Sequence, residues 1–440
     1  MHQADLLITH ARIVTMDDEM RVLQDGALAV QDKKILLIDH SDQAAAQVEA
    51  ETVIDASGRI LMPGLINTHT HLATVLFRGL AEDMPLEPWL QKIWQAENAI
   101  LSPQSVAAGS SLAMVELLLG GTTCAVDMYW FPEQTAAAAR SIGFRLVNGP
   151  VFLLMDQVPD GFSLQDRIAF SHDFLQHYLG DDLIHPMIMP HSTYTDPPEM
   201  LRIVQQIAKQ YGLIIHTHTS ETIAEIEEVR QRYGCTPVHH LYALGILESR
   251  MLLAHCVHVS EEEIEIMANS GAVVAHNPLS NMKLASGFAP LRAMKSSGIP
   301  ITIGTDGAQS GNDLDMWWSM RLAALLQKGT HMDASLFKAD EMLRMATIQA
   351  AQGIGLGDRI GSLEPGKLAD MILIDLNAPH LVPMYDLYAH LVYAVGREDV
   401  HSVWVNGAPV IQNRQLVTSD LEEITHHVHT LAADVPDRML

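Results

Sequence analysis

The chain has 440 residues, 48% hydrophobic and 18% charged, which suits a large buried core and excludes a mostly disordered chain. A formal net charge of −26 repels nucleic-acid phosphates and anionic membranes, so neither is an expected partner and a small neutral or zwitterionic substrate is favoured. Three widely spaced cysteines argue against a disulfide framework, and neither a secretory pattern nor a long apolar run is evident, so a cytoplasmic location is expected.

The first 60 residues have the pattern of short strands separated by polar turns. Residues 5–14, 26–31 and 34–39 are rich in Val, Ile and Leu, and residues 58–64 form an apolar strand flanked by glycines. We expect residues 1–62 to form the first part of a β domain.

From about residue 65, short apolar strands alternate with helical stretches, which is typical of βαβ units around a parallel sheet. Eight such units in succession predict an α/β fold, a (β/α)₈ TIM-type barrel over residues 63–360. An open doubly wound sheet is the alternative, although no Gly-x-Gly-x-x-Gly turn follows an early strand. The predicted strands are 65–68, 122–127, 145–150, 185–190, 213–218, 251–255, 272–276 and 301–305, and the predicted helices include 103–119, 133–142, 197–211, 221–233 and 261–270.

After about residue 360 the sequence again has the pattern of short apolar strands. Residues 361–375 read as a turn followed by an apolar strand, and residues 400–406 and 409–412 as a hairpin closed near Asn406-Gly407. Residues 361–420 are therefore predicted to complete a small β-sandwich built from both chain ends, and residues 421–440 to form a C-terminal tail.

Two His-x-His pairs mark the ends of predicted barrel strands. His69 and His71 follow the first strand, and because residues i and i+2 share a face of a strand, both imidazoles can point into the barrel. His218 ends another strand, with Glu221 three residues later, where a carboxylate could shuttle protons without binding the metal. An isolated pair of this kind is weak evidence, and an isolated Glu221 would suit an ordinary first helical turn.

His255 and Asp306 close two further strands, so histidines and acids fall at the carboxyl ends of four different strands. An aspartate at the end of an apolar strand is costly unless it is paired or bound to a cation. We predict that His69, His71, His218 and Asp306 bind one divalent metal ion, with zinc expected and Fe²⁺ the alternative. No lysine occurs between Lys92 and Lys209, which removes the usual bridging group of two-metal barrels.

These motifs resemble the amidohydrolase superfamily over nearly the full chain, and most closely the 5′-methylthioadenosine/S-adenosylhomocysteine deaminases. The stretches that carry the resemblance are 63–71, 76–84, 218–221, 254–258, 276–286, 305–307 and 361–375.

The resemblance implies a metal-dependent deaminase of 5′-substituted adenosines that releases ammonia. In the implied catalytic set, Asp306 accepts a proton from the attacking water, His255 orients that water and Glu221 protonates the purine ring at N1. The resemblance also implies four substrate-binding residues, namely Trp89 and Glu97 at the nucleoside end, His191, and Ser310 near the purine.

Three questions stay open at this point. Relatives that bind homocysteine use arginines over the barrel mouth, but residues 146–201 contain only Arg167, which favours methylthioadenosine over S-adenosylhomocysteine. A triazine or guanine hydrolase and a non-catalytic scaffold are the alternative functions, although a scaffold would be expected to lose Glu221, His255 or Asp306. The resemblance also suggests a homo-oligomer.

Overall fold

The N-terminal segment forms the first part of a β sheet in the computed structural model, which describes residues 1–155, 157–433 and 435. The predicted strands are present, and the first three extend beyond their predicted ends. A short helix and strand β4 were not predicted, because the solvent-facing positions of β4 are mostly acidic or polar. β4 pairs in parallel with β1. The elements are β1 (His2–Val14), β2 (Val22–Gln31), β3 (Lys34–His40), α1 (Ser41–Gln47), β4 (Val48–Asp55) and β5 (Arg59–Pro63).

The barrel strands follow in the predicted order, two of them in broken form. A Cβ on Gly149 would lie 1.8 Å from the Met187 carbonyl oxygen, so the two broken strands approach too closely there for any side chain at residue 149. The strands are β6 (Leu65–Thr70), β7 (Thr122–Asp127), β8 (Arg145–Asn148), β9 (Val151–Phe152), β10 (Ile184–Pro186), β11 (Met189–Pro190), β12 (Ile215–Thr219), β13 (Met251–His255), β14 (Val273–His276) and β15 (Ile301–Ile303).

Parallel pairing brings the carboxyl ends of these strands to one rim. One run joins β6, β7, β8 and β10, another joins β12 to β15, and β9 pairs with β11. Ile188 bridges to Ile215 between the runs. At the opposite seam the hydroxyls of Thr68 and Thr302 lie 2.8 Å apart, and the Asp306 N–H donates to the His69 carbonyl at 3.0 Å. The last strand therefore meets the first, and the barrel closes.

Helices cover the outside of the barrel. They are α2 (Leu86–Ile100), α3 (Pro103–Leu119), α4 (Pro132–Ile142), α5 (Leu164–Tyr178), α6 (Pro198–Tyr211), α7 (Ile223–Tyr233), α8 (Pro237–Ala243), α9 (Glu261–Ser270), α10 (Pro278–Lys283), α11 (Leu291–Ser296), α12 (Ala308–Gly311), α13 (Met316–His331), α14 (Ala339–Met345) and α15 (Ile348–Gly353). In α6 the buried residues Leu201, Val204 and Ala208 recur every three to four positions and face the strands. Short 3₁₀ helices span Leu72–Phe77, Ile246–Glu248, Pro379–Leu381 and Arg397–Asp399.

The chain then returns to the first sheet through β16 (Met371–Asp375), α16 (Leu387–Tyr393), β17 (Val400–Val405), β18 (Ala408–Gln412) and β19 (Gln415–Leu416). β16 pairs antiparallel with β5, so both chain ends share one sheet. Ile8, Leu28, Leu373 and Trp404 belong to one buried cluster, so strands from both chain ends share a common core. The boundaries at residues 62/63 and 360/361 stay a prediction.

A buried ion pair lies between the barrel and this sheet. Arg145 of β8 donates to both carboxylate oxygens of Asp370, at 2.5 and 2.9 Å, and both side chains are almost fully buried. Two parallel bonds of this kind fix direction as well as distance.

The predicted C-terminal tail begins as a helix, α17 (Leu421–Ala433), which contacts α3. Residues 434 and 436–440 lie outside the described residues. Within the part of the chain that the structure describes, no helix combines the length and the apolar character needed to cross a bilayer.

Candidate active site

Four imidazoles meet at the carboxyl rim of the barrel. His69 and His71 are brought there by β6, His218 by β12 and His255 by β13. The ring centroids of His71, His218 and His255 lie 4.9, 4.9 and 5.4 Å from that of His69. The strand-end histidines of the sequence therefore converge, as the barrel topology requires.

Three of these rings are oriented by a hydrogen bond at Nδ1. A carbonyl or amide oxygen can only accept, so each Nδ1 donates a proton, and in the neutral ring the lone pair is then on Nε2. This is the tautomer and orientation that a histidine needs to bind a metal through Nε2. The bonds run from His71 to the Met128 carbonyl at 2.6 Å, from His218 to the His191 carbonyl at 2.8 Å, and from His255 to Asn281 Oδ1 at 2.8 Å.

His69 is oriented by another histidine. His216 Nδ1 donates to the Leu252 carbonyl at 2.9 Å, which leaves His216 Nε2 to accept from His69 Nδ1 at 2.8 Å. His69 Nε2 is buried and has no hydrogen-bond partner among the described residues. Burial, followed by the charges of neighbouring histidines, lowers the pKa of His69 well below its usual value, so the ring is neutral. His216 thus lies behind His69 and fixes the orientation of its ring.

The carboxylate of Asp306 completes a set of ligand atoms that fits one cation. Its Oδ1 lies 3.3 Å from His71 Nε2 and 3.6 Å from His69 Nε2, and the Nε2 atoms of His71 and His218 lie 3.3 Å apart. Ligands about 2.0–2.1 Å from a tetrahedral ion are about 3.3 Å from one another. The ligand atoms of His69, His71 and His218 lie within 4.8 Å of one another, and so do those of His69, His255 and Asp306. The site is therefore a histidine-rich metal site.

The surroundings keep Asp306 ionised. Its Oδ2 accepts from the Ser280 hydroxyl at 2.6 Å and its Oδ1 from the Gly307 N–H at 2.7 Å. Burial opposes ionisation, but the charges of His71 and His255, with these hydrogen bonds, lower the pKa of Asp306 below its usual value. A carboxylate of this kind can bind a cation and accept a proton.

Glu221 faces the same space, although its local structure differs from the expectation. We expected it to begin a helix, but α7 begins at Ile223 and is capped by Thr222, because the Thr222 hydroxyl accepts the Glu225 N–H at 3.2 Å. The Glu221 N–H instead donates to the buried carboxylate of Glu225 at 2.6 Å, which holds the loop. Glu225 was missed, because its helical position suggested an ordinary surface acid.

The side chain of Glu221 lies close to His255 and Ser286. Its Oε2 is 3.9 Å from His255 Nε2, and its Oε1 accepts from the Ser286 hydroxyl at 3.3 Å. Burial raises the pKa of Glu221 above its usual value. Burial alone would lower the pKa of His255, but the negative charges of Glu221 and Asp306 outweigh burial and raise it. The pKa of Glu221 is therefore raised and that of Asp306 is lowered, which suits Glu221 as an acid and Asp306 as a base.

A cavity opens above these groups. Trp89, Glu97 and His191 line it, together with the metal-site residues and several leucines. The Tyr129 hydroxyl donates to Glu97 Oε1 at 2.6 Å, and burial raises the pKa of Glu97 to about 7. The Trp89 indole N–H is buried and has no hydrogen-bond partner among the described residues.

The remaining substrate candidates differ in their placement. Burial lowers the pKa of His191 to about 3, so this ring is neutral beside His218, with centroids 4.7 Å apart. The Ser310 hydroxyl donates to the Gly307 carbonyl at 2.9 Å, and Gln309 rather than Ser310 lines the cavity. A role of Ser310 at the purine therefore stays a prediction without a contact to the cavity.

Tyr129 and Gln309 were missed as cavity residues. Tyr129 lies two residues beyond the carboxyl end of β7, and Gln309 lies three residues beyond Asp306. Position just past a strand end was the signal that could have identified Tyr129, whereas Gln309 lies in the helix after Asp306.

Residues 60–410 match the amidohydrolase family. The chain is 38% identical to a 5-methylthioadenosine/S-adenosylhomocysteine deaminase of Syntrophobacter fumaroxidans, over 98% of this chain and 99% of that protein. A zinc-bound adenosine deaminase of Xanthomonas campestris superposes with a TM-score of 0.96, at 35% identity and 99% coverage of both chains. A zinc complex of atrazine chlorohydrolase from Arthrobacter aurescens superposes with a TM-score of 0.90, at 26% identity, covering 97% of this chain and 100% of that one.

Proposed function

Because the chain belongs to the amidohydrolase family, we propose that it is a metal-dependent hydrolase that deaminates the adenine ring of a 5′-substituted adenosine. One observation carries the proposal. The Nε2 positions of the rim histidines and the Asp306 carboxylate converge beside Glu221 at the base of the cavity. Deaminase names among relatives of 38–41% identity over nearly the whole chain support the choice of reaction.

His69, His71, His218 and Asp306 would hold the ion, and zinc is the first candidate. Neutral imidazoles with one carboxylate suit zinc, with ferrous iron as the alternative. Zinc is the metal named for the structures of the Xanthomonas adenosine deaminase and the Arthrobacter atrazine chlorohydrolase. When bound, such an ion supplies a Lewis acid that makes water a stronger nucleophile at neutral pH.

The protein groups divide the proton transfers between them. Asp306 accepts a proton from the attacking water, His255 orients that water, and Glu221 donates its proton to ring N1 as the oxygen bonds to C6. Asp306 then passes its proton to the C6 amino group, the C–N bond breaks and ammonia leaves. The remaining hydroxyl proton returns to Glu221, which leaves an inosine-type product with N1 protonated. The raised pKa of Glu221 and the lowered pKa of Asp306 match these roles.

The cavity wall supports an adenosine substrate. Trp89 offers an apolar face and a free N–H, Glu97 offers a carboxyl oxygen to a ribose diol, and His191 offers a neutral ring beside His218. A triazine or guanine hydrolase is less well supported, because the atrazine chlorohydrolase is only 26% identical.

Ammonia release from a substrate panel tests the proposal. Adenosine, 5′-methylthioadenosine, guanine and an aminotriazine would be compared, each with the purified holoenzyme and with chelator-treated protein. We expect ammonia from the adenosines, its loss after chelation and its return with Zn²⁺. Ammonia from guanine or the triazine but from neither adenosine would refute the substrate proposal, and full activity after exhaustive chelation would refute the metal.

A cytoplasmic location and a homo-oligomeric state are also proposed. The three cysteines are all unpaired, as in a reducing compartment. Sedimentation of the purified protein would test the oligomeric state.

A further inference from the structure

The substrate cavity continues into a wider outer chamber at the barrel mouth. The chamber is bounded by the first turns of α2, the loop around Leu154, α7 and the end of α10. It shares Leu86, Leu90, Trp94, Tyr194, Glu221 and Leu284 with the inner cavity. These six residues form a neck between the two spaces, and apart from Glu221 the neck is largely apolar.

The neck is where the 5′ substituent would pass. With adenine C6 at the metal site and the ribose at Glu97, the sugar's 5′ carbon points away from the metal and towards the neck. A thioether suits an apolar neck, and any charged end of the substituent lies in the outer chamber. This direction rests on the proposed function.

The outer chamber is acidic, and its cations are already paired. Among its described lining residues the cations are Arg232 and Lys283. Arg232 pairs with Glu228 and donates to the Tyr194 carbonyl at 2.6 Å. Lys283 lies 2.7 Å from one carboxylate oxygen of Glu82 and 3.0 Å from the other. A substrate carboxylate that took either cation would leave a protein carboxylate unpaired, so the exchange brings no net gain.

Arg167 offers no substitute. Its side chain is 5% exposed, donates to Asp160 at 2.8 Å, and lies over the Trp130 ring at 5.3 Å. It is absent from the described lining of the chamber. This arginine therefore supports the loop above the barrel, with its charge already neutralised.

Exposed acids remain after these pairs are counted. Asp83 and Glu87 line the chamber near the start of α2 and have no cationic partner among the described residues. Two like charges about 4 Å apart repel measurably even in water, and more strongly near a protein surface. An amine would be attracted to the same groups.

We propose that the outer chamber selects the 5′ substituent by charge, accepting uncharged and aminoalkyl thioethers and discriminating against a carboxylate. Methylthioadenosine is then preferred to S-adenosylhomocysteine because of the charge of the homocysteine end, beyond any effect of its length.

A matched substrate series separates charge from length. The 5′-deoxy-5′-thio substituents would be propyl, 3-aminopropyl, 3-carboxypropyl and homocysteine, compared by kcat/KM with the holoenzyme. We expect the carboxypropyl compound to fall at least about tenfold below the propyl compound, S-adenosylhomocysteine to lie between them, and the aminopropyl compound to equal or exceed the propyl one. Raising the salt concentration should shrink the carboxylate penalty, which a size effect would not do.

Charge reversal at the chamber provides the second readout. Glu87→Lys should raise the ratio of kcat/KM for the carboxypropyl compound to that for the propyl compound about tenfold. Glu51→Lys, at an exposed site on β4, makes the same charge change away from the chamber and should leave that ratio unaltered. Equal kcat/KM for the carboxypropyl and propyl compounds, or equal effects of the two variants, would overturn the inference. Absence of ammonia from every adenosine would instead refute the deaminase proposal on which the inference rests.

Discussion

Replacing His216 by leucine tests whether a histidine outside the proposed ligand set controls metal binding. In the wild type the His69 N–H donates to His216 Nε2 at 2.8 Å, and both side chains are fully buried. The His216→Leu substitution would leave that donor unsatisfied, a loss of about 1–3 kcal/mol. The His69 ring would also have to be ordered as the metal binds, so part of the cost falls on affinity. We expect zinc binding to weaken about 10- to 100-fold, which corresponds to about 1.4–2.7 kcal/mol.

Competition with a chromophoric zinc chelator of known affinity would measure this change, with circular dichroism to verify the fold. His240→Leu is the matched control. His240 is buried and stacks on Tyr233 with centroids 4.0 Å apart, but its Nε2 has no partner among the described residues. The control should bind zinc like the wild type. Wild-type affinity in His216→Leu would refute the argument that this bond orients the ligand.

Three further predictions concern catalysis, pH and stability. Glu221→Gln should lower kcat by about 10²–10⁴ with metal content unchanged, whereas Glu227→Gln, on the exposed face of α7, should leave kcat unaltered. Steady-state kinetics with metal analysis would check this. A wild-type kcat in Glu221→Gln would remove Glu221 from the mechanism. The folded-state pKa of Glu97 is raised from 4.5 to about 7, so the folded state holds a proton that the unfolded state has lost, and stability falls as pH rises through this window. Denaturation at several pH values should therefore show Glu97→Gln gaining on the wild type by up to about 3 kcal/mol between pH 4.5 and 7 and no further above it; a constant difference would contradict the shift. Asp370→Asn leaves the buried charge of Arg145 without its carboxylate and should cost about 3–5 kcal/mol of unfolding free energy by chemical denaturation, while a loss under 1 kcal/mol would argue against this pair as a support between barrel and sheet.

The barrel and the convergence of its strand-end histidines were predictable because the relevant signals are local. A buried parallel strand is a short apolar run, and β7 and β13 match the prediction to the residue, as do α3 and α9. A polar residue directly after such a run lies at the rim, whatever the rest of the chain does. The positions of His69, His218 and Asp306 at the rim were predicted in this way.

The partners of these residues could not be predicted, because closure of the barrel decides them. His69 and His216 are 147 positions apart, and neither carries a local mark of their hydrogen bond. Glu225 looks like any acid in a first helical turn until the fold buries it beneath the Glu221 backbone.

Prolines hid two further features. Pro85 and Pro88 obscured α2, although proline is tolerated in a first helical turn. Pro150 lies between β8 and β9, where the pattern suggested one strand.

Incubation of the holoenzyme with 5′-methylthioadenosine in ¹⁸O-labelled water tests the central claim most directly. Attack of water on C6 predicts an inosine-type product that carries one ¹⁸O atom in place of the amino group, with one ammonia released for each. Mass spectrometry would read both the exchange and its position on the purine. Unchanged nucleoside, or a product altered at the sugar or at the thioether, would contradict the account.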